Sequence, residues 1–255
     1  MFAFVTHWLQ QRIIRRSTIS EEEWEAAFSC LPLLEGLSDE EKRRLQELAI
    51  LFLHYKVFEG AQGLVITRSM ALLIALQACL PILNLGLENY NGWLSVIVYP
   101  AGFSASREVI DEAGVVHRGQ SALLGEAWQR GPIVLAWNDV ETAGIIDGQN
   151  LVIHEFAHKL DMQNGVANGF PPLPAGMSVD GWVKAFTDGF AHFQQHCHTG
   201  KPGAISCYAA TSPAEFFAVI SEVFFERPGL IRKHYPVIYE QLCRYYQQDP
   251  AMRLS

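Results

Sequence analysis

Between Asn150 and Gly165 the sequence reads NLVIHEFAHKLDMQNG, in which His154, Glu155 and His158 spell H-E-x-x-H. A four-residue step returns two side chains to one face of an α-helix, one turn apart. Two imidazoles set that way can share a zinc ion, with the intervening glutamate directed into the same cleft. Local signals favour the helix: Asn150 is a good N-cap and Gly165 a good residue just beyond the last turn. Leu151, Phe156, Ala157 and Leu160 give it apolar surface to bury. The five-letter pattern also arises by chance, so a metal reading requires a fold that brings a third ligand to these histidines from elsewhere.

Candidates for that ligand separate on distance and surroundings. A metzincin continuation needs Gly at 161 and His at 164; the chain has Asp161 and Asn164, which excludes that class. Asp161 follows His154 by seven residues, roughly 10 Å along a helix axis, too far to share an ion held at about 2 Å. It suits orienting a ligand from behind and an ordinary salt bridge equally well. His192, His196 and His198 form a second cluster, but no acid stands between the 192/196 pair as a base. The exposed polar edge of an aromatic-faced helix is the simpler reading there. Glu215 and Glu222 remain, seven residues apart on one face and bracketed by phenylalanines, where a charge is costly unless paired or metal-bound. Glu215 also completes Ser212-x-x-Glu215, a capping box in which its carboxylate would merely satisfy a backbone N–H. Residue logic alone leaves Glu215 and Glu222 even.

Two further capping boxes, Ser20-x-x-Glu23 and Ser38-x-x-Glu41, predict early helices, preceded by a loose arm around residues 8–16. Short β signals follow at residues 55–58 and 64–67, then an apolar helix over 69–80. The runs WLSVIVYP, GVVHRGQSALLGEAW and GPIVLAWNDV read as a small sheet of hairpins. After Gly165 the pattern predicts a helix over 179–196, a sharply bounded one from Ser212 to the Arg227-Pro228-Gly229 stop, and a last one over 236–248. The fold class is α+β, mostly helical, with a small mixed β-sheet beside the H-E-x-x-H helix. Residues 1–255 are read as a single domain, with 1–55 a helical annex and 56–255 the core.

The formal net charge is −8 with no basic block, which argues against direct nucleic-acid binding. The apolar segment 69–87 is interrupted by Gln77, Pro81 and Asn84, so it reads as a buried core helix and not a membrane span. The N-terminus carries its charges after its apolar part and lacks a small-residue cleavage site, unlike a signal peptide. Five cysteines without C-x-x-C spacing read as reduced, mostly buried thiols of a cytoplasmic protein. A monomer is expected.

The H-E-x-x-H segment, the segment YAATSPAEFFAVISEVFFERP and the NGFPPLP between them resemble the Mlc titration factor A (MtfA) peptidases. GPIVLAWNDV and the apolar helix extend the likeness over most of residues 55–240. The resemblance implies a zincin-like zinc metallopeptidase of the gluzincin type, with a fold similar to the lethal-factor catalytic domain. It places the third ligand at the Glu of a Tyr-x6-Glu-Phe-Phe segment, matched here by Tyr208 and Glu215, and leaves Glu222 behind the ligands. It also implies a partner, the glucose repressor Mlc, and a histidine matched by His117 that can reach the metal as a fourth ligand in a closed, latent state.

The expected chemistry follows. One Zn²⁺ held by His154, His158 and Glu215 acidifies a water, Glu155 accepts and returns the proton, and Tyr208 donates a hydrogen bond to the oxyanion as a peptide bond is cleaved. A peptide substrate would lie extended along the strand at 133–137. Cleavage from the amino end, as by an aminopeptidase, is one option. Two rival readings stand: a regulator-binding module whose peptidase activity is weak or latent, and a purely structural metal, for which Glu155 would have no use.

Overall fold

The computed structural model describes residues 2–101, 109–110, 116–117, 131–142, 145–199 and 203–254, without the side chains of 2–6, 109–110 and 116–117. Three helices open the chain: α1 (Phe2–Arg15), α2 (Glu21–Ser29) and α3 (Asp39–Tyr55). Both expected capping boxes form, with Ser20 and Ser38 accepting the N–H of Glu23 and Glu41 and each glutamate reaching back to its N-cap. Residues 8–16 are no loose arm. All but Arg16 belong to α1, which lies against α3, its Ile13 and Ile14 half-buried.

The sheet departs from the hairpin expectation. Strands β1 (Val57–Gly60), β2 (Ser95–Tyr99) and β5 (Ile133–Ala136) lie side by side in that order, all parallel. Phe58 pairs with Val96, and Val96 with Ile133. Parallel neighbours require a long crossover, and α4 (Arg68–Cys79) supplies it between β1 and β2. Residues 64–67 form no strand. Instead Thr67 caps α4 by accepting the Met70 N–H at 3.2 Å. An antiparallel pair does occur in β3 (Val109–Ile110) and β4 (Val116–His117), with Val109 opposite His117. A short helix, α5 (Trp137–Glu141), follows β5 directly.

The second half is helical: α6 (Leu151–Asp161), α7 (Val179–His198), α8 (Pro213–Glu226), α9 (Pro228–His234) and α10 (Pro236–Tyr246). The helix α9 was not foreseen. Pro228 ends α8 but takes the first position of a new helix, where its missing N–H costs nothing. Every residue of α8 from Phe216 to Glu226 is buried, the mark of a core helix, with Ser221, Glu222 and Glu226 as its buried polar positions. On one side Trp182 and Phe186 of α7 stack at 4.2 Å and meet Phe217. On another Phe224 and Phe225 pack on Tyr246. One apolar cluster runs from Trp24 to Tyr246. The apolar helix α4 lies within it, and no helix of the described residues is long and apolar enough to cross a membrane.

The cysteine reading needs correction. Cys197 and Cys207 form a disulfide, while Cys30, Cys79 and Cys243 are free thiols, Cys30 exposed. The fold folds back between the end of α7 and the turn before α8, which sets the two Cα atoms 5.8 Å apart, a separation a disulfide spans without distortion. Nothing in a ten-residue spacing announces that.

Candidate metal centre

The site is built where α6 crosses α8. Asn150 caps α6, its Oδ1 accepting the Ile153 N–H at 2.9 Å. Its backbone N–H donates to Glu222 Oε2 at 2.5 Å, and its side-chain amide donates to Gln77 Oε1 at 2.9 Å and Glu226 Oε1 at 3.1 Å. Glu226 Oε2 accepts the Gly148 N–H at 2.9 Å. Two buried carboxylates of α8 thus meet the amino end of α6, where the helix dipole favours negative charge. Burial still dominates at Glu226 and, with Asp147 and Glu222 nearby, pushes its carboxyl up to about 7.

This joint fixes the face of α6 that carries the histidines. His154 and His158 stand with ring centroids 4.8 Å apart and their Nε2 atoms 3.1 Å apart. Glu215 Oε2 lies 3.1 Å from His154 Nε2 and 3.4 Å from His158 Nε2. Ligands about 2.0–2.1 Å from a tetrahedral zinc sit roughly 3.3 Å from one another. The three sides of this triangle therefore fit one face of such a tetrahedron, and two imidazoles with one carboxylate are a suitable donor set. Glu222 is on the far side: its Oε1 lies 2.7 Å from His154 Nδ1, the bond that orients a ligating imidazole and directs its Nε2 outward. The carboxylates set the charge. Burial disfavours a protonated His154, yet hydrogen bonds to Glu215 and Glu222 outweigh it and push the imidazole up to about 10. Burial likewise works against Glu215, but His154 and His158 hold its carboxyl well below the usual range.

Half of the Ser212 capping box forms. Ser212 Oγ accepts the Glu215 N–H at 3.2 Å, while the Glu215 carboxylate is turned to the histidines. Glu215, Glu222 and Glu226 share one stripe of α8, at i, i+7 and i+11. Glu155 is half-buried on α6, close enough for its charge to be felt at His154 and at Tyr208. Tyr208 sits in a 3-10 turn, Cys207–Ala210, with its ring 6.1 Å from that of His154. Burial raises its phenol, and so do the Glu215 carboxylate it hydrogen-bonds and the charges of Glu155 and Glu222.

Asp161 does something other than either sequence reading. Fully buried, it accepts the N–H groups of Asn168 and Gly169 at 2.7 and 2.6 Å, so it anchors the loop after α6. Gly169 has φ +77°, and a Cβ there would lie 2.5 Å from Pro213 O, so the loop passes against the start of α8 because it carries no side chain. His192, His196 and His198 take no part in the metal cluster among the described residues; His198 Nδ1 lies 2.7 Å from Gln194 O. The side chain of His117 lies outside the described residues. Sequence reasoning missed Gln77, Asn150 as a junction and Glu226. The amide interrupting the apolar α4 and the third carboxylate on the α8 stripe were the available signals.

The strand β5 borders the same helix. Lys159 Nζ donates to Gly131 O at 2.8 Å, tying the approach to β5 onto α6. Among the described strands β5 has a partner on one side only.

A His-Glu-x-x-His helix facing a glutamate from a second helix, beside a small sheet, is an arrangement compatible with a metallopeptidase. Comparison agrees. Residues 5–247 match the family model described as Glucose-regulated metallo-peptidase M90, and the chain belongs to that family. It is 42% identical over 233 residues to a protein of Cronobacter sakazakii named Mlc titration factor A, covering 91% of this chain and 88% of that one. Proteins of the same name from Yersinia pestis and Yersinia pseudotuberculosis are 41% identical over 236 residues, covering 91% of this chain and 87% of theirs.

Proposed function

We propose that this chain is a zinc-dependent peptidase in which His154, His158 and Glu215 hold the ion. The observation that carries the reading is the triangle of 3.1, 3.1 and 3.4 Å between their ligand atoms, with Glu222 fixing His154 from behind. Bound there, zinc would lower the pKa of a water and polarise a peptide carbonyl. Glu155, on the same helix and not one of the three, accepts the proton of the attacking water and returns it to the leaving amine. Tyr208 donates its hydroxyl hydrogen bond to the oxyanion that develops on the carbonyl. Its raised phenol keeps that proton in place at neutral pH. The side of β5 that has no partner among the described strands offers backbone donors and acceptors to an extended peptide. Cleavage from an amino end, as by an aminopeptidase, belongs to the same proposal. So do one peptidase domain over 1–255, supported by the continuous core, and a monomer in the cytoplasm.

Metal content and hydrolysis of a peptide mixture, with and without a chelator, test this directly. We expect about one zinc per chain. Glu155→Gln should keep the zinc and the fold but lose at least about 10²-fold in hydrolysis. Near-full activity of that variant after demetallation and reloading would reject Glu155 as the base.

A second reading comes from the name of the relatives: the chain binds Mlc and keeps it from its sites, with weak or latent peptidase activity. Binding to purified Mlc that survives in Glu155→Gln would separate capture from cleavage.

A further inference from the structure

We propose that the Cys197–Cys207 disulfide is a positioning bond for Tyr208, so that the peptidase works faster oxidised than reduced; the proposal rests on the role just assigned to Tyr208. Cys207 immediately precedes Tyr208, and Cys197 lies in the last turn of α7. Three residues earlier, on the same face of α7, Gln194 Nε2 donates to Ala210 O at 3.1 Å. The helix α7 thus grips the turn on both sides of Tyr208, at Cys207 by a covalent bond and at Ala210 by a hydrogen bond. Bonds within the turn do a different job. Ser206 Oγ accepts the Tyr208 N–H at 3.3 Å, and Tyr208 O accepts the Thr211 N–H and hydroxyl at 3.1 and 2.7 Å. These hold the shape of the turn, not its place against α7.

Tyr208 is 41% exposed. Its ring is therefore only partly held by packing; its hydroxyl reaches Glu215, and whether it keeps that reach depends on where the backbone of the turn sits. Cys207 is exposed and Cys197 half-buried, so a small dithiol protein can reach the bond. Thioredoxin's two thiols give up two electrons and two protons and close into a disulfide. The Cys197–Cys207 bond breaks, and each sulfur takes one electron and one proton. The turn then keeps Gln194 but loses its covalent tie beside Tyr208. Displacing a catalytic group by about 1 Å can cost up to 10²-fold; with Gln194 and the buried Ala209 still holding the turn, a fall of roughly tenfold in kcat is expected.

The test compares oxidised protein, protein treated with reduced thioredoxin, and Cys197→Ser/Cys207→Ser, each with zinc measured, in unmodified and Tyr208→Phe backgrounds. Alkylation followed by mass measurement should find Cys197 and Cys207 blocked until reduction, while the exposed Cys30 reacts at once. With the bond removed, kcat should fall roughly tenfold with KM and zinc content unchanged. In the Tyr208→Phe background the same change should do nothing further. If the double serine variant does not fold, thioredoxin treatment makes the same comparison. Equal kcat in the two redox states, an equal fall in both backgrounds, or free alkylation of the pair after oxidation would overturn the proposal. An oxidised, zinc-loaded protein that cuts no peptide would instead reject the peptidase reading itself, and this one with it.

Discussion

Ser212 and Glu215 show how one residue pair can serve two ends. The serine caps α8 while the glutamate beside it faces His154 and His158, so the two roles separate by mutation. Ser212→Ala should cost about 1 kcal/mol of stability and leave metal affinity intact. Glu215→Ala should leave the cap and lose the metal, read by zinc titration beside a melting curve. Zinc retained at full affinity in Glu215→Ala would return attention to Glu222. Glu226 makes a different prediction. Its folded carboxyl keeps a proton up to about 7, whereas in the unfolded chain it ionises at the ordinary carboxylate value. Between those pH values the native state binds more protons, so this group's contribution to stability falls as pH rises. The stability difference between the unmodified protein and Glu226→Leu should shrink over that window in denaturant titrations. A difference that grows instead would mean the carboxyl is ionised in the fold.

At the scale of elements, the joint between α6 and α8 organises the site. Asn150 is a cap, a donor to Glu222 and a bridge to Gln77 and Glu226. Asn150→Ala therefore removes a cap and leaves buried acceptors without their donor. Together these should cost on the order of 2–4 kcal/mol, measurable by urea denaturation, and a loss under 1 kcal/mol would show the joint to be loose. Apart from α1 and α9, the longer helices were legible in the sequence because their signals are local: Ser20, Ser38, Asn150 and Ser212 each cap the helix that the pattern assigned to them. The sheet was not, because pairing direction depends on what the intervening chain does. Alternating β-branched runs look the same whether a hairpin or the α4 crossover joins them.

Across the whole molecule the same division holds. The pair of histidines could be read from a four-residue spacing, but the residues that hold them come from 68 to 76 positions away in sequence: Glu222 on His154, and Glu222, Gln77 and Glu226 on Asn150. The Cys197–Cys207 bond was invisible for a related reason, since it depends on a change of chain direction after α7 that composition does not record. The resemblance to a known family supplied the choice between Glu215 and Glu222 that residue logic left even.

Among the described strands β5 has no partner on the side away from β2, an edge four residues long, and the donors and acceptors along such an edge meet a peptide's main chain, not its side chains. Selection of that kind is selection by shape. A segment able to lie straight qualifies whatever its sequence, while one already wound into helix or paired on both sides within a sheet has no main-chain groups to offer. A peptidase working from this edge would judge its targets by their state of folding at the point of cleavage, sparing a protein while it is intact and cutting the same protein once that stretch comes slack.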